Sequence, residues 1–154
     1  MTDGTPIDDG LLAIRSWHIV FVARERESWW DLLTSPDWRH VCAYGYHVSE
    51  ACWVIYDPTE TYTRVVLADD DGLDEWLMGI GPRMTAVLRT TVKAQPRPLS
   101  RLGFFCTSAI KHLLGFPSGA FRPEALYRDL KADGAEEVFR LEYGRQSETP
   151  EGRS

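Results

Sequence analysis

The chain has 154 residues, of which 44% are hydrophobic and 12% are aromatic, and this length fits one domain of ordinary size. Six Trp, six Tyr and six Phe exclude a disordered chain. A formal net charge of −6 argues against a nucleic-acid partner, because such partners require phosphate neutralisation by basic residues. The densest apolar run covers only residues 19–23, so no membrane span is predicted.

The two ends of the sequence differ from its centre. Residues 1–12 are polar and rich in turn formers, and residues 144–154 have almost nothing to bury, so we expect both to be flexible around a single domain at 13–143. The N-terminus shows no basic stretch followed by an apolar one, which predicts no signal peptide. Three widely spread Cys residues indicate a reducing compartment rather than a disulfide framework.

The sequence predicts both strands and helices. The strands, which are rich in Val, Ile, Tyr, Trp and Thr, are expected at residues 17–23, 40–47, 53–57, 61–68, 85–94 and 137–143. Helices are expected at residues 28–33, 73–79, 106–114 and 124–132. A Pro-broken loop at residues 95–98 precedes the third of these helices. Strands grouped in the middle of the chain with helices beside them predict the α+β class.

Cys106 is the residue that most clearly indicates chemistry. It lies where a loop becomes a helix, and the unpaired N–H groups of a helix N-terminus favour the thiolate form of a cysteine. Ile110, Leu113 and Leu114 form an apolar stripe by which this helix can pack on a sheet. A buried cysteine without a chemical role is the alternative, since free Cys is among the most buried residue types.

His40 and Asp57 are candidates for the base and its orienting partner. A thiol nucleophile needs a base, and that base needs a third group to hold it. If the chain reverses at residues 48 and 49, His40 is opposite Asp57 and Cys42 is opposite Ile55 on neighbouring antiparallel strands, with Tyr44 opposite Trp53. Because side chains alternate along a strand, His40 and Asp57 then point to one face of the sheet and His47 points to the other. A His at the surface end of a strand is the alternative for His40.

The order of these parts resembles the circularly permuted branch of the NlpC/P60 papain-like superfamily. A strand that starts with His40-Val41 comes first, Asp57 ends the next strand, and Phe105-Cys106-Thr107-Ser108 starts a late helix. The Pro123-Glu124-x-Leu126 step is similar to an element that often follows the Cys helix in permuted members, with Arg122 in place of Ser or Thr. The small residues that usually follow the His are replaced here by Cys42 and Ala43.

The resemblance implies a papain-like fold and acyl transfer by a cysteine peptidase or amidase. Cys106 would attack an amide carbonyl, His40 would take the thiol proton, and Asp57 would orient His40. The implied substrate is a peptide or peptidoglycan-like amide, with no cofactor and no metal. The expected location is cytoplasmic or virion-associated.

Two other classes of function fit the same sequence. The chain could be a non-catalytic structural or binding module of the same fold, for example a phage tail or particle component that assembles into a larger particle. It could also be an ordinary α+β domain in which Cys106 belongs to the core. The distance between the Cys106 sulfur and the His40 ring separates these alternatives from the hydrolase.

Overall fold

The computed structural model describes residues 14–23, 35–59, 61–92 and 105–141. Within them the chain forms a six-stranded antiparallel sheet and three α-helices, which confirms the predicted α+β class. The helix expected at residues 28–33, the loop expected at 95–98 and the two ends expected to be flexible lie outside the described residues. None of the helices in the described ranges reaches the length and apolarity that a membrane-spanning segment requires.

The sheet contains all six predicted strands. Their observed bounds are β1 Ser16–Val22, β2 His40–His47, β3 Cys52–Pro58, β4 Thr63–Ala68, β5 Met84–Thr91 and β6 Glu136–Arg140. Their order across the sheet is β4-β3-β2-β1-β5-β6. The meander from β2 to β4 keeps its chain order, and β1 lies between β2 and β5.

Three of the predicted helices are present. They are α1 Asp70–Ile80, α2 Phe105–Leu114 and α3 Pro123–Ala132. Helix α1 begins three residues earlier than its predicted start at residue 73. The Asp69 carboxylate accepts a hydrogen bond from the Gly72 N–H at 2.8 Å and caps α1. Gly115 has a φ of 60° and ends α2, while the Phe116 N–H donates back to the Lys111 carbonyl at 2.9 Å. This pairing satisfies a helix-end carbonyl in the Schellman arrangement.

Helices cover both faces of the sheet. On one face α2 and α3 bury the main core, whose largest side chains are Trp17, Ile19, Phe21, Val41, Leu88, Ile110, Leu114, Leu126 and Leu130. On the other face Trp76 and Ile80 of α1 pack against a smaller cluster formed by Val20, Val22, Cys42 and Val87. Strand β1 is therefore buried on both faces, because its neighbours and helices enclose it.

The register between β2 and β3 differs from the prediction. The structure pairs Tyr44 with Ile55 and Tyr46 with Trp53, so each residue of β2 lies two positions from its predicted partner. The predicted two-residue turn is in fact a four-residue loop at 48–51, which Ala51 closes with a φ of 49°. A shift of two residues preserves the faces, since side chains alternate with a period of two.

Gly45 is required by close packing inside the sheet. A Cβ atom at this position would lie 2.5 Å from the Ile14 side chain and 3.0 Å from the Ser16 carbonyl oxygen. We expect Gly45→Ala to lower the free energy of unfolding by about 1–3 kcal/mol, the usual cost of overpacking a core. Urea denaturation measures this change.

Gly79 supplies the matched control for Gly45. A Cβ atom there meets nothing within 4 Å, and the residue lies in helix α1. Gly79→Ala should therefore leave stability unchanged or raise it by up to about 1 kcal/mol, because Ala has the higher helix propensity. Equal losses for the two variants would contradict the packing described here.

Candidate active site

The candidate site lies at one end of the sheet. Because neighbouring strands run antiparallel, the start of β2 lies beside the ends of β1 and β3, and the start of β4 lies beside the end of β3. His40 is the first residue of β2, and Asp57 is the penultimate residue of β3. These two residues come from segments that are 17 positions apart, and the hairpin brings them together.

His40 and Asp57 form a short hydrogen bond. The His40 Nε2 atom lies 2.7 Å from Asp57 Oδ1, and the two side chains are 15% and 16% exposed. The observed register, continued past the ladder, sets Asp57 opposite Cys42, so His40 reaches the carboxylate diagonally on the same face. The pair was therefore predicted on the correct face but with the wrong register.

Arg64 forms an ion pair with the second oxygen of the Asp57 carboxylate. It is paired directly with Asp57 in the β3–β4 ladder, and its guanidinium donates to Asp57 Oδ2 at 3.0 Å. Both oxygens of Asp57 are thus engaged, one by an imidazole and one by a guanidinium. This arrangement fixes the carboxylate beside His40 and leaves it little freedom to rotate.

Cys106 joins this pair from the other layer of the fold. It is the second residue of α2 and is 8% exposed, and its thiol lies within hydrogen-bonding reach of the His40 ring. Asp57 holds Nε2, so Nδ1 is the ring nitrogen left for the thiol. Ile110 and Leu114 anchor the helix in the main core and so hold its first turn against the end of the sheet.

The electrostatics of the site favour a charged imidazole. Burial by itself would lower the pKa of His40, but hydrogen bonds to Asp57 and Cys106 outweigh that effect and raise it from 6.5 to about 9. The hydrogen bond from His40 lowers the pKa of Asp57, and the nearby Arg64 adds to this shift. An imidazolium paired with a carboxylate is therefore the favoured state at neutral pH.

These shifts predict a pH-dependent contribution to stability. A raised pKa at His40 stabilises the fold fully below pH 6.5, and this contribution is lost as the pH rises towards 9. The lowered pKa of Asp57 contributes only above its unfolded value of 3.8. We expect Asp57→Asn to lower the free energy of unfolding by at most about 3 kcal/mol at pH 6 and by clearly less at pH 9, since one pKa unit corresponds to ~1.4 kcal/mol.

Urea denaturation of the two proteins at both pH values tests this difference. Arg89→Gln is a suitable control, because Arg89 forms an exposed ion pair with Glu136 away from the site. A stability loss for Asp57→Asn that stays constant between pH 6 and pH 9 would mean that His40 is not held in its charged form by this carboxylate.

A cavity of about 240 Å³ opens beside the pair on the α1 side of the sheet. His40, Cys42, Asp57, Arg64, Trp76 and Arg83 are among its lining residues. The Cys42 sulfur lies close to the imidazole and the carboxylate, and burial raises the pKa of this thiol well above its ordinary value. The sequence prediction assigned no role to Cys42, Arg64 or Arg83. The register of β2, β3 and β4 brings Cys42 and Arg64 near Asp57, and Arg83 reaches the cavity from the turn before β5.

His47 lies away from the site. It is buried on the face opposite to His40, as the alternation of β2 predicted, and its Nδ1 accepts a hydrogen bond from the Glu50 N–H at 3.2 Å. This contact ties His47 to the loop that follows β2. Cys52, which pairs with His47 in the ladder, is partly buried at the far end of β3.

Comparison with known proteins adds no relative. No protein-family model, no curated protein and no solved structure matches this chain. The chemistry of the site therefore rests on the geometry of His40, Asp57 and Cys106.

Proposed function

We propose that this protein is a cysteine-dependent amide hydrolase of papain-like type, with Cys106 as nucleophile. One observation carries the proposal: His40 Nε2 is 2.7 Å from Asp57 Oδ1, and the pKa of the same ring is raised by interaction with Cys106 at the start of α2. A nucleophile, a base and a group that orients the base are the three parts that such chemistry needs. Cys106 is also a buried member of the main core cluster, so its interaction with His40 distinguishes it from a purely structural cysteine.

The raised pKa of His40 supports its role in proton transfer. A ring that holds its proton up to about pH 9 carries it at neutral pH and can give it to a leaving amine. Asp57 stabilises the imidazolium and fixes its ring, so Nδ1 stays directed to the sulfur. The thiolate is the nucleophilic form of cysteine.

The proposed reaction proceeds in two steps. The Cys106 thiolate attacks the amide carbonyl, the C–N bond breaks, and the His40 imidazolium gives its proton to the leaving amine. Water then attacks the thioester with His40 as base, and the acid product leaves as the thiol group is restored. The backbone N–H of Cys106 belongs to the first turn of α2, where no intrahelical acceptor exists, and it is placed to stabilise the oxyanion.

The papain-like assignment is supported by architecture as well as by the site. Helix α2 packs against β2 and β3 of an antiparallel sheet, and its first turn meets the His-bearing strand. The chain order of His40, Asp57 and Cys106 is the permuted order described for the NlpC/P60 resemblance. On the same basis we propose that the substrates are cell-wall peptides. We further propose that the enzyme acts in the cytoplasm or as part of a virion.

Capture of the acyl-enzyme tests the proposed function. The full chain is mixed with a panel of peptidoglycan fragments and simple peptide amides, quenched in acid and examined by mass spectrometry with peptide mapping. We expect a mass increase equal to that of the acyl group on Cys106. The same increase on Cys106 is expected in the matched control variant Cys52→Ala. Turnover without any adduct on Cys106, or no turnover across the panel, would contradict the proposal.

A further inference from the structure

We propose that His40, Cys42 and Asp57 together form a binding site for a zinc-like divalent cation. Their candidate ligand atoms, one imidazole nitrogen, one thiol sulfur and one carboxylate oxygen, all lie within 4.8 Å of one another. Nitrogen, sulfur and oxygen donors in such a set are those that Zn²⁺ prefers, whereas Mg²⁺ and Ca²⁺ select oxygen alone. His40 and Asp57 would therefore take part both in the proposed hydrolysis and in metal binding.

The spacing of the donors requires only small movements. Around a tetrahedral zinc ion, neighbouring ligand atoms are separated by about 3.3–3.6 Å, given the usual metal–ligand distances. The sulfur of Cys42 must approach by roughly 1 Å, and the 2.7 Å contact between His40 and Asp57 must open slightly. The present contact of the Cys42 thiol, 3.9 Å to the Val20 carbonyl, is long and easily replaced. On binding, the thiol releases its proton to solvent.

The cavity supplies an entry path and a fourth coordination position. All three donors line the same space of about 240 Å³, so an ion on them faces an open volume rather than packed hydrocarbon. Three protein ligands with one open position are typical of exchangeable zinc sites. Because Arg64 and Arg83 line the same cavity, the open position would favour an anionic fourth ligand.

The bound ion would inhibit the enzyme, a consequence that rests on the proposed function. A metal-bound imidazole keeps a proton on its other nitrogen, which leaves no lone pair for the thiol proton of Cys106. The ion also takes Asp57 from its role beside His40. Zinc is therefore expected to act as a reversible inhibitor that never contacts the nucleophile.

Cobalt binding tests the site without any assay of hydrolysis. Co²⁺ added to the reduced full chain should give a thiolate-to-cobalt charge-transfer band and the visible bands of a tetrahedral ion. Cys42→Ser should abolish the charge-transfer band, and Cys52→Ser should retain it. Asp57→Asn, which leaves the buried cysteine in place, should weaken binding by at least ~10-fold.

The alternatives give different results. A charge-transfer band that persists in Cys42→Ser and disappears in Cys106→Ala would place the ion on the nucleophile and overturn the proposal, as would absence of the band in the unaltered chain. Zinc should slow iodoacetamide alkylation of Cys106 in the unaltered chain but not in Cys42→Ser. If Cys106 is unreactive while the cobalt spectrum depends on Cys42, the hydrolase proposal fails and the metal site stands.

Discussion

Replacing Cys106 by Ala is expected to reduce amide hydrolysis to the uncatalysed background, a loss on the order of 10⁶-fold when a nucleophile is removed. The loss is this large because no other described thiol can take over its position. Cys42 lies near His40 on the α1 side of the sheet, but burial raises the pKa of its thiol and disfavours the nucleophilic form. Cys52 lies at the far end of β3. Initial rates on the best substrate of the fragment panel measure the effect.

Two controls separate lost chemistry from lost folding. Cys52→Ala should keep the full rate, because this partly buried side chain lies outside the site. Cys106→Ala should keep nearly all its stability, since it removes one small sulfur at the edge of the core, where Cys106 is 8% exposed. A folded Cys106→Ala variant with undiminished hydrolysis would place the reaction elsewhere.

Replacing His40 by Asn is expected to lower the rate of hydrolysis by about 10²–10⁴-fold, the usual contribution of a positioned acid–base group. Asn can occupy much of the same space, but it neither takes the thiol proton nor gives one to the leaving amine. The rate of the unaltered enzyme should also fall above about pH 9, where the His40 imidazolium loses its proton. The His40→Asn variant should show no such fall in rate above pH 9. Rates measured from pH 5 to pH 10 give both comparisons.

His112→Asn is the matched control for this variant. His112 lies on the same helix as Cys106, six residues further on, and therefore on a different side of it. Its replacement should leave both the rate and its pH dependence unchanged. An equal loss in the two variants would indicate damage to α2 rather than loss of a base.

Much of this fold is predictable because its signals are local. The strands follow from β-branched and aromatic residues between turns, and two helix ends follow from Gly115 and Pro123. Helix α1 begins three residues before the predicted Leu73, because the Asp69 carboxylate caps it and draws residues 70–72 into the helix.

The choice of His40, Asp57 and Cys106 also needed only their residue types and their order along the chain. The structure places His40 Nε2 2.7 Å from Asp57 Oδ1, and an interaction with Cys106 helps to raise the pKa of His40.

The register of the β2–β3 hairpin could not be read from the sequence. Two-residue and four-residue loops at residues 48–51 fit the same polar stretch, and the choice depends on the backbone of Ala51 and on packing around Gly45. The position of Cys42 beside Asp57 follows from that register, whereas that of Arg64 follows from the β3–β4 register. The contacts of Asp57 with these residues therefore depend on strand pairing and could not be predicted from the sequence.

Competition among the three cysteines for iodoacetamide at pH 6 tests the central claim most directly. A thiol of ordinary acidity is almost entirely protonated at this pH and reacts slowly. If His40 and Asp57 activate Cys106 as a nucleophile, peptide mapping should show Cys106 alkylated at least ~10-fold faster than Cys42 or Cys52. Alkylation of Cys106 at no more than the rate of Cys52 would contradict a nucleophile at this position.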